Sequence, residues 1–260
     1  VFAFVFLFAM LLLIGQTIPT IAAPVTLTVN STGDSNDLNP GNGICETTTP
    51  GECTLRAAVE EANSNSNPSD QDVIEFNIAG GGLKTIDLGG PLYVMQNVFI
   101  DGYSQPGASA NTAAYPAALN GTLLIQVKGT NAQINTNSTG DNSIIRGLIL
   151  NGNISIDPDC DGVEVKGNYL NTDQSGLIAS WPVNGTHAII TNSSNTIVGG
   201  TDPADRNVVA ARGSFFVSVA GISGGGSIIK GNNFGVGSDS ITPLPQDDTY
   251  NSSVAGLTVT

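Results

Sequence analysis

The chain has 260 residues, room for one elongated domain or two small ones with a sizeable buried core, so size excludes little. Composition excludes more: 32 Gly with many Asn, Ser and Thr, and charged residues at only 12%, describe a chain that turns often and is not a helical bundle. A net charge of -14 sets the surface against phosphate backbones and anionic headgroups, which argues against a nucleic-acid partner.

Val1 to Gly15 is a nearly unbroken apolar run, followed by Gln16-Thr17 and the small residues Ala22 and Ala23. A run this short is expected to be a signal peptide over residues 1–23, leaving a secreted or cell-surface chain with no membrane span in its mature form. Residues 24–71 then form an N-terminal cap and residues 72–260 a repetitive β region. Within the cap, Val25 to Asn30 alternates apolar residues with Thr, the period of a first strand. The segment Asp34 to Gly43 is dense in turn formers; ordinary turn chemistry is the expectation, and Asp34 and Asp37 are also candidate Ca²⁺ ligands. Cys45 and Cys53 flank a short loop containing Gly and Pro, and export permits the disulfide expected between them. Cys160 is then left over, as a buried apolar residue.

Thr54 to Asn63 reads as a helix capped by Thr54, with Leu55, Ala58, Val59 and Ala62 on one face and Arg56, Glu60 and Glu61 on an exposed one. A lone short helix before a long β region suggests a cap over the first coil of a solenoid. From Asp72 onward, short apolar runs alternate with Gly, Asn and Asp turns: Val73 to Ile78, Lys84 to Leu88, Leu92 to Ile100, Thr122 to Lys128 and Ser143 to Leu150. Ile144-Ile145-Arg146-Gly147 recurs as Val163-Glu164-Val165-Lys166-Gly167-Asn168 and as Ile228-Ile229-Lys230-Gly231-Asn232-Asn233. The first two lie about 20 residues apart, one coil of a β-solenoid. Gly and Asn tolerate the left-handed corners such a coil needs, and stacked Asn side chains can bond along its axis as a ladder.

Cys53-Thr54-Leu55-Arg56-Ala57-Ala58 resembles the Cys-Ser-Leu-Arg-Glu-Ala motif (CSLREA-type) that opens a class of exported bacterial β-helix proteins, departing from it at Thr54 and Ala57. Ile100-Asp101-Gly102-Tyr103-Ser104-Gln105-Pro106-Gly107 is similar to a second segment of that class, and Gly162 to Phe234 resembles its repeats. The resemblance implies an all-β, right-handed parallel β-helix of the pectin-lyase-like type with a short capping helix, often one region of a larger secreted or surface protein. Gly256 to Thr260 reads as another strand beginning, so further coils or domains are expected downstream. The fold implies no single activity.

A uronate lyase would need a Ca²⁺ site and an Arg or Lys base. The candidates are Asp157, Asp159 and Asp161 for the metal, Asp173 as a further carboxylate, and Arg146 and Lys166 as bases in successive coils. Asp157 to Gly162 also reads as a polar turn between coils, and the turn is the favoured expectation. Asn171-Thr172-Asp173 with Asp247-Asp248 loosely matches the acids of polygalacturonases, without their Gly-His-Gly and Arg-x-Lys motifs. His187 has no nucleophile tied to it and reads as a surface or turn residue; Trp181 and Tyr169 are the aromatics that could stack on sugars. Asn-x-Ser/Thr sequons such as Asn30 and Asn120 follow from turns rich in Asn, Ser and Thr. The expectation is a structural or adhesive module whose partner is a polysaccharide or cell-surface glycan, with Ca²⁺ as the one cofactor to consider. Polysaccharide lyase or glycoside hydrolase chemistry is the alternative.

Overall fold

A computed structural model describes residues 23–65, 70–137, 139–181, 187–191, 193–210, 215–219, 225–245 and 256–259. The apolar leader and Asp247-Asp248 lie outside the described residues. The short β runs stack in parallel. One sheet takes seven of them in chain order: Thr26–Val29, Asp72–Phe76, Val98–Asp101, Ile144–Arg146, Glu164–Lys166, Ile197–Gly199 and Ile228–Lys230. Because side chains alternate across a strand, one column of this register faces inward throughout: Leu27, Ile74, Ile100, Ile145, Val165, Val198 and Ile229. Like side chains stacked this way bury continuous apolar surface, at roughly 25 cal/mol per Å².

The second sheet has ten strands and bends into two columns. Strands Ile125–Thr136 and Leu148–Ile156 pass round the bend and belong to both. On one column Ile86, Val127, Leu150, Leu170 and Val209 align inward; on the other Leu92, Ile134, Ile154, Ile189 and Val217 do so. Each coil therefore has three faces around one core. The fold is all-β, a parallel β-helix with a short helix at its N-terminal end. Among the described residues, no helix is long and apolar enough to cross a membrane.

The helix runs Leu55–Asn63, and the Thr54 hydroxyl caps it by accepting from Ala57 N at 3.0 Å. Leu55, Ala58, Val59 and Ala62 enter the same core as Leu27, Val29 and Phe76, so the helix closes the open end of the stack. Its other face differs from the sequence expectation. Glu61 is buried and accepts from Gly41 N and Gly43 N, while Glu60 accepts from Asn36 Nδ2 and Asp37 N. The loop from Asp34 folds back over that face, and the two carboxylates satisfy its turn N–H groups, so Glu61 is buried and Glu60 half-buried. Cys45 and Cys53 are joined by a disulfide with a Cα–Cα distance of 5.3 Å, and Cys160 is buried in the core. Burial pushes the Cys160 thiol's pKa up.

Coil length varies more than the repeat implied. Ile145 to Val165 spans 20 residues, but Ile100 to Ile145 spans 45 and Val165 to Val198 spans 33. Among the described residues the extra length forms excursions at the corners, chiefly 102–124 and 171–181. Two expected strands also divide: Leu92 to Ile100 becomes Leu92–Val94 and Val98–Asp101, on different faces, and Ser143 to Leu150 breaks between Ile144–Arg146 and Leu148–Ile156. The second break is Gly147, with φ at +72°, where an added Cβ would stand 2.7 Å from Tyr103 N. His187 opens the strand His187–Thr191 rather than lying in a turn.

The asparagine ladder is present. Asn168 N donates to Asn207 Oδ1 (2.8 Å), and Asn207 Nδ2 donates to Asn232 Oδ1 (2.8 Å). Their amides also reach core-strand carbonyls, from Asn168 to Ile145 O, from Asn207 to Val165 O and from Asn232 to Val198 O. The ladder thus satisfies the backbone at the corner between the first and second faces of three successive coils. A second apolar cluster of Leu123, Ile149, Tyr169, Val208, Ala210 and Leu244 lies apart from the core. Ile149, Tyr169 and Val208 are register partners on the outer side of the second face, which the excursions cover.

Candidate functional site

The residues singled out for lyase chemistry fall on different parts of the coil. Arg146 and Lys166 are register partners on the outer side of the first face. Arg146 pairs with Asp101 through Nε (2.9 Å) and Nη2 (2.8 Å) and lies 4.5 Å from the Phe99 ring centroid, while Lys166 pairs with Glu164 at 2.6 Å. Its hydrogen bonds to the Asp101 carboxylate raise the Arg146 pKa further, so it stays a cation. Asp157, Asp159 and Asp161 occupy the corner from third face to first, where Asp157 Oδ1 accepts from Asp159 N and Asp161 Oδ1 from Ser194 N of the next coil. Asp34 grips Arg56 and Gly89 N, and Asp37 accepts from Asn39 N and Glu46 N, both tying down the cap loop. Among the described residues, no three His, Cys, Asp or Glu side chains converge where one cation could be held.

Asp173 shapes the excursion between the second and third faces. It accepts from Ser175 Oγ, Leu177 N and Ile178 N, and the strand bridge Thr172 to Ala179 closes the hairpin. Burial acts to raise its pKa, but the bonds from Ser175, Ile178 and Leu177 outweigh this and hold it below the usual carboxylate range. A carboxylate depressed in the folded state adds stability above its unfolded pKa and loses it as pH falls through the folded value. Asp173→Asn is therefore expected to lower the melting temperature at pH 7 and to match the parent once the pH is below the carboxylate range; melts across pH test this.

That same excursion walls the cleft with the most varied chemistry. It encloses about 360 Å³, lined by Asp87, Gln126, Lys128, Asn151 and Trp181 together with Gly129, Thr130 and Ser180. Asp87, Lys128 and Asn151 are successive register partners at the end of the second face, so the stack itself sets them side by side. Across the floor, Thr85 Oγ1 donates to Gln126 Oε1 (2.9 Å), and Gln126 Nε2 donates to Asn151 Oδ1 (2.8 Å). Asn151 Nδ2 then donates to Thr172 O and Ser180 O, which fixes the excursion carrying Trp181. The rim at Gly129-Thr130 exists because the register slips between Lys128 and Gln133, a bulge that lifts those residues from the ladder. The Trp181 indole N–H is buried and has no acceptor among the described residues.

Trp181 was marked by the sequence as a stacking residue; Asp87, Gln126, Lys128 and Asn151 were not. Their signal was positional: Ile86-Asp87, Val127-Lys128 and Leu150-Asn151 each place a polar residue after the last inward aliphatic of a second-face strand. Tyr169, the other aromatic considered, is 4% exposed and packs in the second apolar cluster instead.

Fold and cleft together define a β-solenoid with an open polar groove on its side. The chain matches no protein-family model, no curated protein and no solved structure.

Proposed function

We propose that the chain is a secreted or cell-surface β-helix module, of the exported bacterial CSLREA-type class, with a structural or adhesive role that binds glycan without cleaving it. The observation that carries the reading is the cleft: the Trp181 indole beside the hydrogen-bonded amides of Gln126 and Asn151 and the exposed carboxylate and ammonium groups of Asp87 and Lys128. Sugars present apolar C–H faces ringed by hydroxyls, and an aromatic wall with convergent donors and acceptors suits them. The separation of Arg146, Lys166 and Asp173 from the Asp157 to Asp161 turn supports binding over lyase chemistry. Export rests on the apolar leader, and the class on the motif at Cys53 to Ala58.

Trp181→Ala is expected to weaken retention of the purified chain on immobilised polysaccharide about tenfold, the scale of one lost aromatic anchor. Its melting temperature is expected to stay near the parent value. Retention undiminished by the substitution would remove the cleft from the account.

A further inference from the structure

Asn42-Gly43, Asn120-Gly121 and Asn151-Gly152 are the Asn-Gly pairs among the described residues, and the fold treats them differently. At such a pair the following backbone nitrogen has its easiest approach to the side-chain amide, because glycine puts no side chain in the way. Asn42 is exposed in the cap loop, and its Oδ1 accepts from Ile44 N at 2.7 Å. That bond folds the side chain back along its own backbone, closing a ring of atoms that contains both Asn42 Cγ and Gly43 N. Gly43 N donates in turn to Oε1 of the buried Glu61 carboxylate, whose Oε2 accepts from Gly41 N at 2.6 Å. A Cβ built on Gly43 would meet nothing within 4 Å, so the nitrogen is also unobstructed.

The other two pairs lack this arrangement. Asn151 is buried, its Nδ2 donates to Thr172 O and Ser180 O, and Gly152 is pressed against Ala132 O. Asn120 is exposed, but its side chain is paired with Thr112 through both Oδ1 and Nδ2. Gly121 is crowded by the Asn111 backbone, and among the described residues no carboxylate accepts from its N–H.

We propose that Asn42-Gly43 is a self-modification site, at which Gly43 N closes on Asn42 Cγ and the cap loop turns its own amide into a carboxylate. Glu61 Oε1 takes the Gly43 proton as the N–Cγ bond forms, and Ile44 N–H holds the negative charge that develops on Oδ1. The Cγ–Nδ2 bond then breaks, and Nδ2 leaves as ammonia with the proton that Glu61 returns. Water opens the five-membered imide at either carbonyl, leaving aspartate or isoaspartate in place of Asn42. The cap thereby gains a negative charge beside Glu61 as the chain ages. The site is separate from the Trp181 cleft and does not rest on it.

The test holds the purified chain at neutral pH, folded or in urea, and digests it at intervals, reading the mass gain of amide to acid and the isoaspartate content at each pair. In the folded chain Asn42 is expected to react at least about tenfold faster than Asn120, a modest effect for one positioned base, and Asn151 not to react. In urea the pairs are expected to react at similar rates, with Asn42 slower than when folded. Glu61→Gln keeps an acceptor for the loop but removes the base; it is expected to slow Asn42 at least about tenfold in the folded chain and to leave its rate in urea unchanged. Asn42 reacting no faster than Asn120, or no faster folded than in urea, overturns the proposal. A parental rate in the folded Glu61→Gln chain overturns Glu61 as the base, and should that variant fail to fold, the folded and urea rates of the parent decide.

Discussion

Asn207→Asp is expected to destabilise the chain by about 3 kcal/mol or more at pH 7, although it changes a single NH₂ to oxygen. Asn207 is fully buried and is the middle rung of the ladder. Its Nδ2 donates to Val165 O and Asn232 Oδ1, while its Oδ1 accepts from Asn168 N. An introduced carboxylate keeps the last bond, loses both donations and sets a negative charge against Asn232 Oδ1 and Val165 O. Burial raises such a carboxyl's pKa, so the folded state holds its proton longer than the unfolded one. The deficit should then be small below the ordinary carboxylate range and grow as pH rises through it. Denaturant melts at two pH values test this; a loss under about 1 kcal/mol at pH 7 would mean that the ladder does not hold the corner.

Val59→Asp is expected to cost about 4 kcal/mol, and the damage to be local. Val59 is 1% exposed in the core shared with Leu27, Val29 and Phe76, at the end of the stack where the helix covers the first coil. In a solenoid each coil contacts mainly its neighbours, so stability is lost where the cap is lost. Hydrogen exchange should show Thr26–Val29 and Asp72–Phe76 losing protection while Glu164–Lys166 retains it. Uniform protection, or an unchanged melt, would show that the helix is not a cap.

The parts of this fold legible in the sequence are those that depend on local pattern. The Thr54 cap, the aliphatic spacing of Leu55 to Ala62 and the recurring apolar-Gly-Asn unit each follow from the residues of one segment, and the fold class followed from their repetition. Corners and excursions were harder to read. Nothing in Leu92 to Ile100 marks where one strand ends and the next begins, because both are apolar and the break at Met95-Gln96-Asn97 carries no Gly or Pro. The outer face of the helix was misread for a related reason: Glu60 and Glu61 look solvent-facing until the loop from Asp34 lies across them. The cleft depends on register. Asp87, Lys128 and Asn151 become neighbours only once residues 41 and 23 positions apart are stacked, and no single segment announces that.

The central claim, binding without cleavage, is tested most directly by incubating the purified chain with a panel of acidic and neutral polysaccharides, with and without Ca²⁺, and following both retained protein and new chain ends. The account predicts retention on at least one glycan, no new chain ends in any condition, and release when Trp181 is replaced by Ala. New chain ends produced by the chain would contradict it and make the protein a polysaccharide-cleaving enzyme.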